Sequence, residues 1–118
     1  MNYTTIEQSK RLLKLGLDPK TADLSYHEED GLEFVPYRFI AINDRNEYFP
    51  AWSLEALLEV TRQVPYHYIS IAEKETWQVA VVHYEKGILR SFTRSCFFDA
   101  VYELTCWLLE KGYIKKGE

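Results

Sequence analysis

The sequence contains few of the residues that cross-link a small domain. Its 118 residues include only two cysteines, Cys96 and Cys106, which lie ten apart in a segment with helical patterning. Ten residues of helix span about 15 Å, which is too far for a disulfide between them. Two reduced thiols are typical of a protein from a reducing compartment, so we expect a cytoplasmic location.

Long apolar runs and glycine-rich loops are also missing. The longest apolar runs have four residues, as in residues 79–82, whereas a membrane-spanning helix needs about 20. The N-terminal ten residues lack the apolar segment of a signal peptide. The five glycines are isolated, which excludes the usual phosphate-binding loops. We therefore expect no membrane partner and no cofactor.

The three histidines do not have the spacing of a common metal site. His27, His67 and His83 form no His-x3-His pair, and no Cys-x2-Cys pair accompanies them. His67 and His83 lie on strands predicted to pair, with His67 opposite Val82 and His83 on the diagonal. A patch of two imidazoles without a third ligand predicts no metal site.

Cys96 is the best candidate for a catalytic nucleophile. It lies at a predicted helix start beside Arg94, where the helix dipole favours a thiolate. No histidine is near in sequence to act as its base, and burial beside Phe97 is the simpler interpretation. We therefore predict no catalytic residue and regard the protein as non-enzymatic.

Charge is distributed unevenly along the chain. The net charge is −4, and residues 21–60 carry nine acidic against two basic side chains. Such a chain is not built to neutralise phosphates, so nucleic acid is an unexpected partner. The exception is helix one, where Lys10, Arg11 and Lys14 form a basic face that could contact a phosphate backbone.

Apolar periodicity predicts one α+β domain over residues 1–118. The order is α-β-α-β-β-β-α, with an antiparallel meander of three to four strands packed against two or three helices. The predicted helices span residues 5–15, 54–63 and 96–111, and the predicted strands span residues 32–42, 66–73, 76–84 and 88–93. Pairing of residues 32–42 with the meander is a further expectation.

Local signals mark where the helices begin and end. Ser, Thr and acidic residues at a helix start accept free backbone N–H groups, and glycine adopts the left-handed conformation just after the end. The predicted capping box is Thr4 with Glu7, the other predicted N-caps are Ser53 and Ser95, and the terminating glycines are Gly16 and Gly112.

Aromatic residues are abundant, with nine Tyr, six Phe and three Trp. Tyr and Trp are enriched at protein interfaces because they bring a large contact area at a low entropic cost. A core rich in large rings is the alternative explanation. The candidate interaction surface consists of Tyr66, Tyr68, Trp77, Tyr84 and Trp107.

Three blocks of the sequence resemble a family of small uncharacterised Bacteroidetes proteins, often encoded in phage-like or mobile regions. The residues that carry this resemblance are Ser9, Leu12, Leu13, Leu15, Gly16, Leu17, Pro19, Thr21, Ala22, Asp23, Pro50, Ala51, Trp52, Ser53, Leu54, Ala56, Leu57, Leu58, Glu59, Trp107, Leu108, Leu109 and Glu110. They are cap, turn and core positions, so the resemblance implies a bacterial or phage-borne cytosolic protein but no functional residue.

The predicted function is that of a non-enzymatic interaction domain, acting as a homodimer or as an accessory factor that binds another protein. Its basis is the aromatic surplus together with the lack of a reactive group of side chains. One alternative is a small thiol-dependent or hydrolytic enzyme that uses Cys96 or the His67/His83 region. The other is a nucleic-acid accessory protein that uses the basic face of helix one.

Overall fold

The computed structural model describes residues 2–117 and has an α+β fold, as predicted. Three α-helices and six β-strands follow one another in the order α1, β1, β2, β3, α2, β4, β5, β6, α3. Their bounds are α1 Ile6–Lys14, β1 Leu24–His27, β2 Gly31–Glu33, β3 Tyr48–Ala51, α2 Leu54–Thr61, β4 His67–Glu73, β5 Trp77–His83, β6 Gly87–Arg94 and α3 Phe97–Glu110.

The chain divides into two compact units. The first contains residues 2–56 and 115–117, and the second contains residues 57–114. Each unit has one antiparallel three-stranded sheet, with the order β2-β1-β3 in the first and β4-β5-β6 in the second. The expectation of a single domain over residues 1–118 stays a prediction.

Helix α1 begins one residue later than predicted. Its capping box consists of Thr5 and Gln8 instead of Thr4 and Glu7, with each side chain accepting the other's backbone N–H. The helix ends as predicted, since Gly16 has a φ of 100° and Leu17 donates its N–H to the Leu12 carbonyl oxygen. The helix lies against β3 within the first unit.

Thr4 lies at the centre of a buried polar network in the first unit. Its hydroxyl is hydrogen-bonded to the Ser9 hydroxyl at 2.7 Å and accepts the Trp52 backbone N–H at 3.0 Å. Its carbonyl oxygen accepts the Tyr26 hydroxyl at 2.8 Å. Burial, and to a lesser degree the nearby Tyr3, raise the pKa of Tyr26 above 10.0. Thr4 is therefore not the predicted cap, because the sequence pattern does not distinguish a buried threonine from a capping one.

The predicted strand over residues 32–42 is wrong. Only β2 is extended, and it pairs with β1 instead of with the meander. The remainder forms short 3-10 helices over Tyr37–Phe39 and Ile42–Glu47. Proline has no N–H to donate to a ladder, and Pro36, three residues after the end of β2, is the N-cap of the first of these 3-10 helices. Strands β1 and β3 fall in segments for which the sequence predicts no strand.

The meander of β4, β5 and β6 is confirmed and has three strands. Its first turn contains three residues, because Glu73 faces Trp77 and the Lys74 N–H donates to the Thr76 carbonyl oxygen. The predicted turn was one residue shorter, which misplaced the register by one. His67 therefore faces His83 directly instead of Val82.

Helix α3 packs against β5 and β6. Cys96 instead of Ser95 is its N-cap, and Gly112 ends it with a φ of 77°. Most apolar side chains of this helix are buried, including Cys106, whereas Phe97 and Trp107 are half-buried. No disulfide joins Cys96 and Cys106.

The Thr4 network predicts a large effect from an almost isosteric substitution. Thr4→Val keeps the shape but leaves the buried Trp52 N–H and Ser9 hydroxyl without their partner. We expect the free energy of unfolding to fall by about 1–3 kcal/mol, measured by urea denaturation. Thr93→Val on exposed β6 is the matched control and should change it by less than about 0.5 kcal/mol. Equal effects would contradict a stabilising role for the network.

Candidate functional site

One face of the β4–β5–β6 sheet presents a cluster of exposed aromatic and aliphatic side chains. Tyr68 faces Val82, which in turn faces Ile88, and the Tyr84 N–H donates to the Tyr66 carbonyl oxygen. The rings of Tyr68 and Tyr84 lie 5.4 Å apart. Tyr66, Tyr84 and Ile88 are 77%, 70% and 64% exposed. We call these five residues the tyrosine face.

The whole of this sheet face lacks charged side chains. Side chains alternate between the faces of a strand, so the register assigns every other residue to this one. Besides the tyrosine face, the register assigns to it Ser70, Ala72, Gln78, Ala80, Ser91 and Thr93. Most are exposed, whereas Ala80 and Val82 are buried. The face therefore combines polar and apolar side chains, and none of them carries a charge.

The opposite face of the sheet is covered by α3. Val79 and Val81 are fully buried there, and Trp77 stacks on Phe97 of α3 with ring centroids 4.7 Å apart. Trp107 is half-buried and stacks on Tyr113. Of the five residues predicted for an interaction surface, the structure thus brings together Tyr66, Tyr68 and Tyr84. The two tryptophans lie in ring stacks elsewhere in this unit.

Tyr66 has an unusual backbone conformation. Its φ of 64° is the only positive value at a non-glycine residue among residues 2–117. A bulky residue in this left-handed region costs about 1–2 kcal/mol. Tyr66 lies between Pro65 and the first residue of β4, and its largely exposed ring is at the end of the sheet.

His67 and His83 lie closer together than predicted. Their ring centroids are 4.8 Å apart, and the ring of Tyr113 lies 5.5 Å from that of His67. The His67 Nδ1 lies 2.5 Å from the Pro65 carbonyl oxygen, so this nitrogen is the donor. The His67 Nε2 is buried and makes no hydrogen bond within the described residues. The His83 Nδ1 accepts two backbone N–H groups.

The structure does not connect the thiol to these imidazoles. Cys96 is half-buried at the start of α3 and makes no side-chain cap bond. In the described chain, no hydrogen bond joins its Sγ to a histidine. Lys10, Arg11 and Lys14 of the predicted basic face are exposed on α1. The enzymatic and nucleic-acid alternatives stay predictions.

A group of polar residues at the β1–β2 turn was missed by the sequence patterns. His27, Asp30 and Glu33 place potential ligand atoms within 4.8 Å of one another. The His27 Nδ1, however, already accepts the N–H groups of Glu29 and Asp30 at 3.2 Å each. Its lone pair is therefore engaged, and the geometry is that of a histidine that organises an acidic turn.

Two surface cavities flank this acidic turn. The larger has a volume of about 340 Å³, and the smaller, of about 190 Å³, has a lining of His27, Glu28, Glu29 and Glu47. Tyr48 lines the larger cavity. Burial, followed by the carboxylates of Glu33, Asp44, Glu47 and Asp30, raises the pKa of its phenol above 10.0. The region therefore has a negative potential that disfavours anionic ligands.

A third cavity lies beside β4 in the second unit. Its volume is about 240 Å³, and its lining includes Leu58 and Thr61 of α2 and Ile69 and Ile71 of β4. Ile71 is 46% exposed on the outermost strand of the sheet. Arg62, His67 and Tyr68 complete the lining, so the cavity is partly apolar and partly polar.

No protein family, no curated protein and no solved structure matches the chain. The resemblance to the Bacteroidetes family stays a prediction. Among the described helices, none has the length and apolar character required to span a bilayer.

The acidic surroundings of Tyr48 predict a measurable titration. Glu33→Gln should lower the pKa of Tyr48 towards 10.0 without reaching it, because burial is the larger cause of the shift. A raised pKa in the folded state gives stability that is complete below pH 10 and is lost as the pH rises through the folded value. NMR titration with ring-labelled tyrosine checks both points. Glu75→Gln, at the β4–β5 turn, is the control, and an unchanged Tyr48 in Glu33→Gln would contradict the assignment.

The backbone of Tyr66 predicts a substitution that retains the fold. Asparagine tolerates the left-handed region better than tyrosine. Tyr66→Asn should therefore leave the free energy of unfolding unchanged or raise it by up to about 1 kcal/mol. Tyr84→Asn provides the comparison, because it introduces the same residue at the end of a strand where the backbone is not left-handed. A loss of more than about 1 kcal/mol in Tyr66→Asn would show that the ring stabilises the fold.

Proposed function

We propose that this chain is a non-enzymatic protein-interaction domain that binds a partner protein through the tyrosine face. The observation that carries the proposal is the cluster of Tyr66, Tyr68, Tyr84 and Ile88, which is exposed on a sheet face without charges. Exposed large apolar residues gathered in one patch, instead of scattered singly, are typical of interaction sites.

The composition of the patch favours protein over nucleic acid. Protein-interface centres are depleted of charged residues and enriched in tyrosine, and this face has both features. Binding to a nucleic-acid backbone requires lysine or arginine near the phosphates. The β5–β6 turn at the edge of the patch contains Glu85 and Lys86, whose charges cancel. A partner surface with apolar contacts and a few acceptors for phenol hydroxyls fits best.

The rings are also partly ordered before binding. Tyr68 and Tyr84 lie in or next to regular strands and contact one another, and the Tyr84 backbone is hydrogen-bonded to Tyr66. Ordering flexible side chains is one of the costs of association, so a cluster fixed by a sheet loses less entropy when it binds.

A site-specific photo-cross-linker tests the proposal. Benzoylphenylalanine replaces Tyr84 in the protein expressed in its native cells, and the matched control replaces Phe34, which is exposed in the first unit. We expect one discrete protein adduct from position 84 and not from position 34. Tyr66→Asn, added to the position-84 probe, should greatly reduce this adduct.

Binding to the purified partner then gives the magnitude. Tyr84→Ser should weaken the Kd by about 30-fold, which corresponds to the roughly 2 kcal/mol of a tyrosine hot spot. Phe34→Ser should leave it unchanged. Equal adducts from both positions, no adduct, or an adduct with nucleic acid or with a second copy of this chain would contradict the proposal.

A further inference from the structure

Strand β4 has a row of backbone groups that face away from its sheet. It is the outer strand of the order β4-β5-β6. At the ends of the hairpin, the bonded pairs are Tyr66 with Tyr84 and Lys74 with Thr76. Residues of antiparallel strands alternate between bonding inwards and outwards. The even-numbered residues of β4 therefore bond to β5, and the outward groups belong to His67, Ile69, Ile71 and Glu73.

The other three sheet edges are protected against pairing, whereas β4 is not. Short length, proline, bulges and charged side chains all hinder edge-to-edge association. Strand β2 has three residues, β3 contains Pro50, and β6 has a bulge opposite Val81/Val82 and carries two arginines. Strand β4 has seven residues in unbroken register, without proline or lysine, and its one charged side chain is Glu73 at the end.

We propose that β4 pairs antiparallel with β4 of a second copy about a two-fold axis at Ser70. This register places Ile69 opposite Ile71 of the second copy, and His67 opposite Glu73 of the second copy. Each of the four residues whose backbone groups point away from the sheet then faces a residue of the second copy whose backbone groups also point outwards. The pairing forms about eight backbone hydrogen bonds, two for each facing pair, and it joins the two sheets into one of six strands.

Neighbouring registers are less favourable. With the two-fold axis at Ile69 or at Ile71, some outward backbone groups extend past the end of the facing strand and gain no hydrogen bond. With the axis at Glu73, the carboxylates of the two copies face each other. The register about Ser70 uses the full strand and sets the carboxylate of Glu73 against an imidazole instead of a second acid. Like charges directly opposite one another in a ladder destabilise a sheet. The strand is therefore self-complementary in backbone hydrogen bonding, and this register sets no two like charges against each other.

The side chains also fit this pairing. Ile71 is half exposed, and together with Leu58 and Ile69 it forms the apolar part of the lining of the cavity beside β4. Facing residues in a ladder lie on the same side of the sheet, so Ile71 of the second copy lies next to Ile69 at this cavity. Pairing therefore covers apolar surface that a single copy leaves open to water.

This inference extends the proposed interaction role to a second copy but uses the strand edge and not the tyrosine face. A monomeric protein would overturn it and leave partner capture at Tyr84 intact. Conversely, a dimer without an adduct at Tyr84 would support it and contradict the proposed function.

Engineered cysteines test the register, in a Cys96→Ser background that leaves only the buried Cys106. In Ser70→Cys, the two Cα atoms face each other at about 4.5 Å in a non-hydrogen-bonded pair. That distance is within the range of disulfides, so mild oxidation should give a covalent dimer. Ala72→Cys lies at another exposed position of the same strand, but its two Cα atoms would be about 13 Å apart. It should stay uncross-linked.

Mass measurement by light scattering tests the edge itself. We expect the unchanged protein to approach twice the 14.0 kDa chain mass as its concentration rises. Ile71→Pro removes one outward N–H without breaking a bond to β5, so it should retain the circular dichroism of the fold and remain monomeric. Tyr84→Ser should still dimerise. A single-chain mass for the unchanged protein at every concentration, or equal cross-linking of both cysteine variants, would overturn the inference.

Discussion

The packing of α3 on one face of the β4–β5–β6 sheet is the constraint on which the interaction surfaces depend. Val79 and Val81 are fully buried on that face, and Trp77 stacks on Phe97 at the start of the helix. A single helix covers one face of a three-stranded sheet but neither the other face nor an outer edge. Tyr68, Tyr84 and Ile88 consequently remain in water on the uncovered side.

Two different properties distinguish the uncovered side from an ordinary solvated sheet surface. It has no charged residue, although charged residues are the usual exposed ones, and one of its rings is held by a left-handed backbone at Tyr66. Backbone strain of this kind tends to be concentrated at functional positions. By contrast, the polar turn around His27 is explained by its own hydrogen bonds, because Nδ1 already accepts two backbone N–H groups.

Helix ends and the long hairpins could be predicted because their signals are local. Gly16 and Gly112 end their helices in the left-handed conformation, and Ser53 accepts the Ala56 N–H as an N-cap should. The first sheet could not be predicted, since β1, β2 and β3 are short and pair across irregular segments. The alternation of side chains over residues 32–42 also predicted a strand that does not form, and Phe34, Phe39 and Ile42 are exposed there.

The sequence by itself determined the α+β class, the three helices, the meander and the absence of a cysteine cross-link. These features follow from periodicity, caps and residue counts, which act within a few positions of the chain. Only the tertiary structure decided which aromatic rings are exposed together. Both Tyr84 and Trp77 belong to the aromatic-rich meander, but Tyr84 is exposed beside Tyr68, whereas Trp77 stacks on Phe97 of α3. The tertiary structure also decided the pairing of His67 with His83 and the open edge of β4. The pairing depends on the length of one turn, where a single residue moves every side chain to a new partner, and the open edge depends on the place of β4 as an outer strand.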